Sequence, residues 1–326
     1  MSSPNEAVRF PAAPPRLVFA GEAVVDVLLR VPGLPVKGGD LLATSSQVTA
    51  GGGFNVMAAA ARNGLPVLYA GGHGTGPWGD LVRAALAAEG IAVFRLPDPG
   101  RDTGFDVAFV EPDAERTFVT HLGAEAVRGA GSWDGVPAGP GDAVYVSGYG
   151  LVPPGSGPVL GRWAAALAPG VLLFVDPGPL AAQIPAAVLG PVLDRCDWLS
   201  CNVAEAATLA GAASAADPAG AAVRLLERAA RADVIVRVGP AGCYLTLRSA
   251  SEPVHIPAPA VTAVDTTGAG DTHAGVFLAA LAEGVAPLGA AARANAAAAF
   301  AVTKPGPATA PNRAELDAWL RRRPVM

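Results

Sequence analysis

The chain has 326 residues, enough for one large domain with a substantial buried core, or for one domain with a small attachment. Its net charge of −5, and a basic block only at residues 321–323, argue against binding to nucleic acid or to an anionic membrane. Three cysteines are too few for a disulfide framework, and the apolar stretch 17–29 carries two acids, so it predicts neither a signal peptide nor a membrane span. We therefore expect a cytoplasmic protein.

Taken in order, the chain predicts strands that alternate with helices. Residues 1–15 are rich in Pro and Ala and predict a flexible N-terminal arm, followed by one α/β domain over 16–326. Apolar and β-branched runs predict strands at 17–20, 24–29, 66–71, 91–96, 143–147, 171–176, 197–200, 234–238 and 243–247. Helical patterns are found at 56–62, 81–89, 158–168, 203–210, 218–231, 275–281, 293–302 and 315–323. Such alternation predicts an α/β fold with a largely parallel sheet.

Two segments do not fit inside a parallel sheet. Residues 36–49 alternate polar and apolar positions, as exposed antiparallel strands do. Residues 103–110 and 116–121 alternate in the same way and are joined by Glu-Pro-Asp-Ala-Glu, which predicts a hairpin. We assign these segments to a small β-sheet lid, with strands drawn from about 28–49 and 103–122.

The most informative stretch is 264–274, which reads Val-Asp-Thr-Thr-Gly-Ala-Gly-Asp-Thr-His-Ala. Gly268-Ala269-Gly270 predicts a turn whose backbone can approach a ligand closely. Asp271 and Thr272 are N-cap residue types, placed just before the apolar helix at 275–281. The turn therefore points free backbone N–H groups and the positive end of the helix dipole at one spot, which predicts an anion site.

A carboxylate at this anion site needs an explanation, because it would repel the anion. As a general base, Asp271 would take the proton of a substrate hydroxyl while the N–H groups of residues 268–270 hold a transferring phosphoryl group. Alternatively, Asp271 is an ordinary N-cap after a glycine-containing turn. A cap requires neither the Gly-Ala-Gly nor the Asp-Thr-Thr before it, which favours the base.

Other nucleotide chemistries find little support. Lysine occurs only at positions 37 and 304 and never follows glycine, which excludes a P-loop, and there is no Gly-x-Ser-x-Gly elbow. The four histidines show no metal-ligand spacing. One rival is Gly-Thr-Gly-Pro-Trp-Gly at 74–79, which matches a dinucleotide-binding turn with Asp98 at a position suited to the ribose. A dinucleotide-dependent oxidoreductase is therefore kept as an alternative.

At this point the chain resembles the ribokinase-like (PfkB) family of sugar and nucleoside kinases, from about residue 17 to 316. Residues 265–275 are similar to the family's C-terminal signature, and residues 51–55 with the following Ala-Ala-Ala-Ala-Arg-Asn-Gly are similar to its N-terminal signature. Residues 202–205 match its Asn-x-x-Glu, residues 238–242 its nucleotide-binding turn, and residues 295–306 its C-terminal segment beside the adenine. The resemblance implies a three-layer α/β/α domain with a mostly parallel sheet and a small β-sheet lid.

The resemblance also implies an activity, namely Mg²⁺-dependent transfer of the γ-phosphoryl group of ATP to a primary hydroxyl of a sugar or sugar-like compound. A monovalent cation, K⁺ or Na⁺, and a possible homodimer through the lid are implied as well. A non-catalytic sugar- or nucleotide-sensing relative is the other alternative, and an intact Asp271 argues against it.

The resemblance assigns a role to each matching residue. Asp271 is the catalytic base, and Gly268, Ala269 and Gly270 form the anion hole. The substrate-binding residues are Asp26, Gly52, Gly53, Asn55 and Glu125. The nucleotide-binding residues are Asn202, Glu205, Gly239, Gly242 and Asn295, and Glu205 also organises Mg²⁺ indirectly. Asp265, Thr267, Ala301 and Gly306 surround the monovalent cation.

Three departures from the family pattern concern the substrate. Ala50 stands where many members have the first glycine of a pair, and the bulky Phe54 occupies a site that is usually small. Glu125 lies in Gly-Ala-Glu-Ala, where ribokinases carry Gly-Ala-Asn-Ala. These changes leave the identity of the sugar open but not the phosphoryl chemistry.

Overall fold

The computed structural model describes residues 15–112, 116–127, 129, 131–211, 217–250 and 252–322. The predicted N-terminal arm lies outside these residues except for residue 15. Thirteen strands of the described chain form two sheets, of nine and four strands. The larger sheet has the order β13-β12-β11-β10-β9-β8-β1-β4-β5. Its strands are β1 (Leu17–Ala20), β4 (Val67–Tyr69), β5 (Ala92–Val93), β8 (Ala143–Ser147), β9 (Leu172–Asp176), β10 (Trp198–Asn202), β11 (Asp233–Arg237), β12 (Cys243–Thr246) and β13 (Pro253–Ile256).

The larger sheet is parallel except at one edge, where β12 and β13 pair antiparallel. Alternate side chains of β1 enter different cores: Leu17 and Phe19 join one apolar cluster, and Val18 and Ala20 join another. The sheet is thus covered on both faces, which explains the continuous apolar runs of its central strands.

Ten α-helices of the described chain surround or follow the strands. They are α1 (Phe54–Arg62), α2 (Pro77–Ala88), α3 (Gly148–Leu151), α4 (Gly157–Ala165), α5 (Ala186–Arg195), α6 (Val203–Ala210), α7 (Pro218–Arg228), α8 (Ala269–Ala282), α9 (Pro287–Ala301) and α10 (Arg313–Arg321). Within the described residues, none of these helices has the length and apolar character needed to cross a bilayer.

The smaller sheet, which we call the lid, has the order β3-β2-β6-β7. Its strands are β2 (Ala23–Arg30), β3 (Ser45–Gly52), β6 (Phe105–Val110) and β7 (Arg116–His121). The predicted hairpin is confirmed as the antiparallel pair β6 and β7, whereas β2 pairs parallel with β6. The connection at 113–115 lies outside the described residues. Residues 31–44 carry no strand, so the alternation read from 36 onward begins too early.

The start of α8 differs from the prediction. The helix begins at Ala269, and its N-cap is Gly268, whose φ of +71° is the left-handed conformation that glycine adopts without strain. The prediction that Asp271 and Thr272 cap the helix is therefore wrong, because both lie in its first turn. Every side chain from residue 272 to 281 is buried, so α8 is a core helix and not an amphipathic one.

Close packing of α1 against α8 depends on Gly275. A β-carbon at this position would lie 2.5 Å from the Val56 carbonyl oxygen and 2.7 Å from the Ala59 β-carbon. The small residue lets the two helix backbones touch. This contact brings the first turns of both helices to the same place.

Candidate active site

A cavity of about 350 Å³ lies between the lid and the carboxyl ends of the parallel strands. Ser147, Asp176, Asn202 and Arg237 each end a strand of the larger sheet and line it, as the general rule for ligand sites in open α/β sheets predicts. The sequence-predicted residues that line it are Asp26, Gly52, Gly53, Asn55, Glu125, Asn202, Glu205, Thr267, Gly268, Ala269, Gly270 and Asp271.

The first turn of α8 opens onto this cavity. In the described part of the chain, the backbone N–H groups of Gly268, Gly270 and Asp271 have no acceptor. The Ala269 N–H instead donates to the Thr266 carbonyl oxygen at 3.3 Å, so this member of the predicted anion hole is already engaged in the turn. Three free donors and the helix dipole make this spot a site for an anion.

Asp271 is held at the same helix start. Its Oδ2 accepts a hydrogen bond of 3.1 Å from Nδ2 of Asn55, in the first turn of α1. Burial raises the pKa of the Asp271 carboxyl to about 6, the Asn55 hydrogen bond opposes that shift, and the charge of Asp176 adds to it. A carboxyl group with this pKa is mostly ionised at neutral pH and is a stronger base than an exposed aspartate.

Arg237 lies beside the first turn of α8. Its Nη1 donates to Oδ2 of Asp176 at 2.6 Å and to Oγ of Ser200 at 2.7 Å, and its Nη2 lies 3.3 Å from Oε2 of Glu205. Burial alone would lower the pKa of Arg237, but the two carboxylates outweigh it and raise the pKa. A β-carbon on Gly270 would lie 3.5 Å from the guanidinium, so the cation and the free amides face the same space.

Asn202 and Glu205 form a capping box at the start of α6. The Asn202 side chain accepts from the Glu205 N–H at 2.9 Å, and Oε2 of Glu205 accepts from the Asn202 N–H at 2.7 Å. Burial, together with the nearby charge of Asp176, raises the pKa of Glu205 to about 7. Both residues also line the cavity, so their capping does not prevent contact with a ligand.

Asp26 and Asp106 form a carboxyl pair on the lid. They are register partners on the parallel strands β2 and β6, and both line the cavity. Burial, and then the charge of Asp106, raises the pKa of Asp26 to about 8. Burial raises the pKa of Asp106 as well. The β-carbon of any residue at Gly51 would lie 1.9 Å from Oδ1 of Asp26, so glycine is required for the carboxyl group to sit there.

Two glutamates, Glu22 and Glu125, also line the cavity. Glu22, between β1 and β2, accepts through Oε1 from Oγ of Ser147 at 3.0 Å, and burial raises its pKa to about 7. Glu125 accepts from the Gly104 N–H at 2.9 Å and from the Gly123 N–H at 2.6 Å. Glu125 therefore fixes the chain on either side of the β6–β7 hairpin as well as lining the cavity.

Asp265 lies behind the α8 turn. Its Oδ1 accepts from the Thr267 N–H at 2.9 Å and from Oγ1 of Thr267 at 2.7 Å, and it also pairs with the guanidinium of Arg116 from the lid. Its Oδ2 accepts from the Gly306 N–H at 3.0 Å. Burial alone would raise the pKa of Asp265, but the Thr267 and Gly306 hydrogen bonds and the Arg116 charge together lower it.

The residues predicted around a monovalent cation are only partly suited to one. Asp265, Thr267 and Gly306 lie together, but Thr267 and Gly306 already donate hydrogen bonds to the two carboxylate oxygens of Asp265. The Ala301 carbonyl oxygen accepts from the Lys304 N–H at 3.0 Å and from Oγ1 of Thr309 at 3.1 Å. A cation needs these same oxygen lone pairs, so the donor set does not fit it.

Three predicted nucleotide-binding residues are not brought to the cavity. The Asn295 side chain is buried and donates to the Ile256 carbonyl oxygen at 2.8 Å, joining α9 to the edge strand β13. Gly239 and Gly242 form the turn before β12. A β-carbon at Gly242 would lie 2.1 Å from the Ile256 carbonyl oxygen, so this glycine is needed for the packing of β13.

Sequence reasoning missed four charged residues of the cavity, namely Glu22, Asp106, Asp176 and Arg237. Asp176 and Arg237 each end a run of apolar residues, and a polar residue at the carboxyl end of a parallel strand is a signal that could have found them. Glu22 and Asp106 carried no such signal, because their approach to the cavity depends on the lid and its register.

The dinucleotide-binding alternative fails at the start of α2. Oδ2 and Oδ1 of Asp102 accept from the N–H groups of Trp78 and Gly79 at 3.0 Å and 2.8 Å. A carboxylate of the chain itself thus occupies the helix terminus where a pyrophosphate would bind.

Comparison with known proteins agrees with this geometry. The profile of the pfkB family carbohydrate kinases matches residues 15–315. The chain is 33% identical over 301 residues to the uncharacterized sugar kinase YegV of Escherichia coli (strain K12), covering 92% of each chain. It is 29% identical over 282 residues to a ribokinase of Arabidopsis thaliana, covering 83% of this chain and 72% of the other.

Solved structures confirm the predicted fold class. Ribokinase from Thermotoga maritima has a TM-score of 0.78 at 24% identity, over 94% of this chain and 99% of the other. Arabidopsis thaliana ribokinase complexed with ribose and ATP has a TM-score of 0.77 at 24% identity, over 95% of this chain and 99% of the other. With the profile match over nearly its whole length, the chain belongs to the pfkB family of carbohydrate kinases, which are phosphotransferases with an alcohol group as acceptor.

Proposed function

We propose that this kinase transfers the γ-phosphoryl group of ATP to a primary hydroxyl of a sugar or sugar-like alcohol, with Asp271 as the general base. The observation that carries the proposal is the coincidence, at one helix start, of a carboxyl group with raised pKa and three unpaired backbone N–H groups. A base and an anion-binding turn side by side are what in-line transfer to an alcohol requires.

In the proposed reaction, the alcohol lies between Asp271 and the γ-phosphorus. Oδ of Asp271 takes the hydroxyl proton as the alcohol oxygen bonds to phosphorus, and the bond from phosphorus to the bridging oxygen breaks to release ADP. The N–H groups of Gly268 and Gly270 stabilise the charge on the transferring group, and the adjacent Arg237 guanidinium neutralises part of it. No covalent enzyme intermediate is needed.

Mg²⁺ fits the carboxylates at the phosphate side of the cavity. Magnesium in phosphoryl-transfer sites takes one or two carboxylates, several waters and substrate phosphate oxygens, and Asp176 and Glu205 supply two such carboxylates. Both carboxylates already accept hydrogen bonds, from Gly178, Arg237 and Asn202, so they would hold the ion through its bound waters. When bound, the ion would supply charge neutralisation on the phosphates. Among the described residues there is no cluster of three or more acidic, His or Cys side chains of the kind that binds a metal alone.

The lid supports two further parts of the proposal. It covers the cavity with Asp26, Asp106 and Phe118, so its closure would exclude water and limit hydrolysis of ATP. Its opposite face carries a row of valines, Val48, Val27, Val107 and Val119, one on each strand. Val48 is 45% exposed and Val119 is 61% exposed. Val27 and Val107 between them are half-buried. An apolar row that is exposed at both ends supports a homodimer through the lids.

The proposal is tested by measuring ADP release and sugar phosphate formation across pentoses, hexoses and nucleosides, with wild-type protein and Asp271→Asn. We expect stoichiometric ADP and phosphorylated alcohol from the wild type and a loss of both in the variant. ATP binding without product from any alcohol would overturn the kinase assignment. Light scattering of the purified protein tests the dimer, and a monomer at micromolar concentration would exclude it.

A further inference from the structure

Four acidic residues, Glu22, Asp26, Asp106 and Glu125, form the wall of the cavity that would face the alcohol. Within the described residues, Oε2 of Glu22, Oδ1 of Asp26 and Oδ1 of Asp106 are buried and receive no N–H or non-carboxyl O–H donor, and the Asp26 and Asp106 carboxyl groups hydrogen-bond to each other. Asp26 as a whole is only 6% exposed. Buried acceptors of this kind are costly unless a ligand supplies the donors.

The charge of this wall also disfavours an anionic substrate. Glu22, Asp26, Asp106 and Glu125 all belong to this wall, and the one described cation that lines the cavity, Arg237, is already shared by two carboxylates. A carboxylate or phosphate on the alcohol substrate would add acceptors where donors are needed, and would bring negative charge beside a cluster of four acidic groups. Hydroxyl and ammonium groups instead supply donors.

From this wall we infer that the physiological acceptor is an uncharged or amine-bearing polyol, and that sugar acids and sugar phosphates are rejected by Glu22, Asp26 and Asp106. The inference rests on the proposed kinase function and narrows its substrate class. Asp106, which no sequence motif marks, becomes a specificity-determining residue, because its carboxyl group lies beside that of Asp26 on this wall.

The test compares acceptors that differ in charge, each with a primary hydroxyl. Glucose, glucosamine and gluconate form one series, ribose and ribonate form another, and the alditols glucitol and ribitol are the neutral open-chain references for gluconate and ribonate. We expect kcat/KM for each acid to be at least about tenfold below that of its neutral parent, as one uncompensated like charge at close range predicts. Asp106→Asn should reduce this difference by raising kcat/KM for the acid. A thermal melt confirms that the variant is folded.

The outcomes separate the two proposals. If gluconate, ribonate or a sugar phosphate is the best acceptor, the kinase function stands and the charge inference is overturned. If Asp106→Asn leaves the ratio of acid to neutral acceptor unchanged, Asp106 has no part in selection. If no acceptor of any charge is phosphorylated, the kinase proposal itself fails, and this inference fails with it.

A second inference comes from Asp265. Its side chain is 3% exposed, and it pairs with Arg116, whose side chain is 16% exposed and begins strand β7 of the lid. Nη1 of Arg116 also donates to Oγ1 of Thr266 at 3.2 Å, and Arg30 at the end of β2 lies 4.0 Å from Oδ2 of Asp265. A lid guanidinium thus supplies positive charge beside the carboxylate at which the resemblance placed K⁺ or Na⁺.

We propose that Arg116 replaces the monovalent cation in this chain, so that the α8 turn is charge-balanced without K⁺ or Na⁺. Turnover and the melting temperature are measured in KCl, NaCl and tetramethylammonium chloride at equal ionic strength. Both should be the same in the three salts for the wild type. Arg116→Gln should lower turnover, and K⁺ should restore part of it by occupying the vacated carboxylate. A wild type that needs K⁺ for activity, by about tenfold or more, or that melts higher only in K⁺, would overturn the proposal.

Discussion

Replacing Asp271 by asparagine should remove catalysis while making the folded protein more stable. Asn is nearly isosteric with Asp, and its side-chain oxygen can still accept the hydrogen bond from Nδ2 of Asn55. It cannot take a proton from the alcohol at neutral pH. We expect kcat to fall by about 10²–10⁴, the usual contribution of a general base.

The stability change follows from the pKa of Asp271. Burial raises this pKa from 3.8 to about 6, so above pH 6 the folded state carries an ionised group that it disfavours relative to the unfolded state. One unit of pKa corresponds to about 1.4 kcal/mol, which gives a gain of about 1–3 kcal/mol for the uncharged variant at pH 7.5. The gain should shrink as the pH falls through 6, because Asp271 then becomes protonated in the folded wild type. Below about pH 4 it should vanish, because the unfolded wild type is protonated as well.

Steady-state ADP release and thermal melts at pH 7.5 and pH 5 measure the two effects. Asp80→Asn is the matched control, because Asp80 also lies in the first turn of a helix but is exposed. It should leave turnover unchanged and lower stability by at most about 1 kcal/mol. If Asp271→Asn keeps turnover within tenfold of the wild type, Asp271 is not the base. If it melts lower than the wild type at pH 7.5, the electrostatic reasoning is refuted.

Three further changes test the supporting structure. Gly275→Ala should cost about 1–3 kcal/mol of stability in a thermal melt and lower kcat, because it forces α1 away from α8. The control Gly190→Ala changes a helical glycine with open space around it and should be neutral or stabilising in the same experiment. Arg237→Met should lower the free energy of unfolding by about 3–5 kcal/mol, because it leaves two buried carboxylates without their cation. The control Arg231→Met breaks the pair with Asp197, in which the Arg is 58% exposed, and should cost less than about 1 kcal/mol in the same urea unfolding experiment. Glu125→Gln should raise KM for the alcohol more than KM for ATP, because one of its two backbone donors loses its acceptor. An effect on ATP alone would remove Glu125 from the alcohol side.

Long, simple patterns in the sequence predicted the fold well. The central strands β8 and β9 were recognised because parallel strands buried on both faces read as unbroken apolar runs. Helix α5 was missed, since Gly190 and Pro191 interrupt its pattern, although both are accommodated within it. Strand β13 was missed because Pro253 and His255 obscure a short strand at the sheet edge.

The candidate site was predictable where it is local in sequence and not where it depends on tertiary pairing. The turn from Gly268 to Asp271 is continuous, so its chemistry could be read directly, although the cap was misplaced because left-handed Gly268 takes that role. The approach of Asp106 to Asp26 comes from the parallel pairing of β2 with β6, which no local pattern specifies.

The two halves of the proposed reaction reside on different parts of the molecule. Asp26 and Asp106 belong to the lid, whereas Asp271 and Arg237 belong to the main body. Redesign of acceptor preference at Asp26 and Asp106 is therefore confined to β2 and β6 and leaves Asp271 and Arg237 unchanged. The same division means that an alcohol bound only to Asp26 and Asp106 is not phosphorylated until it also meets Asp271.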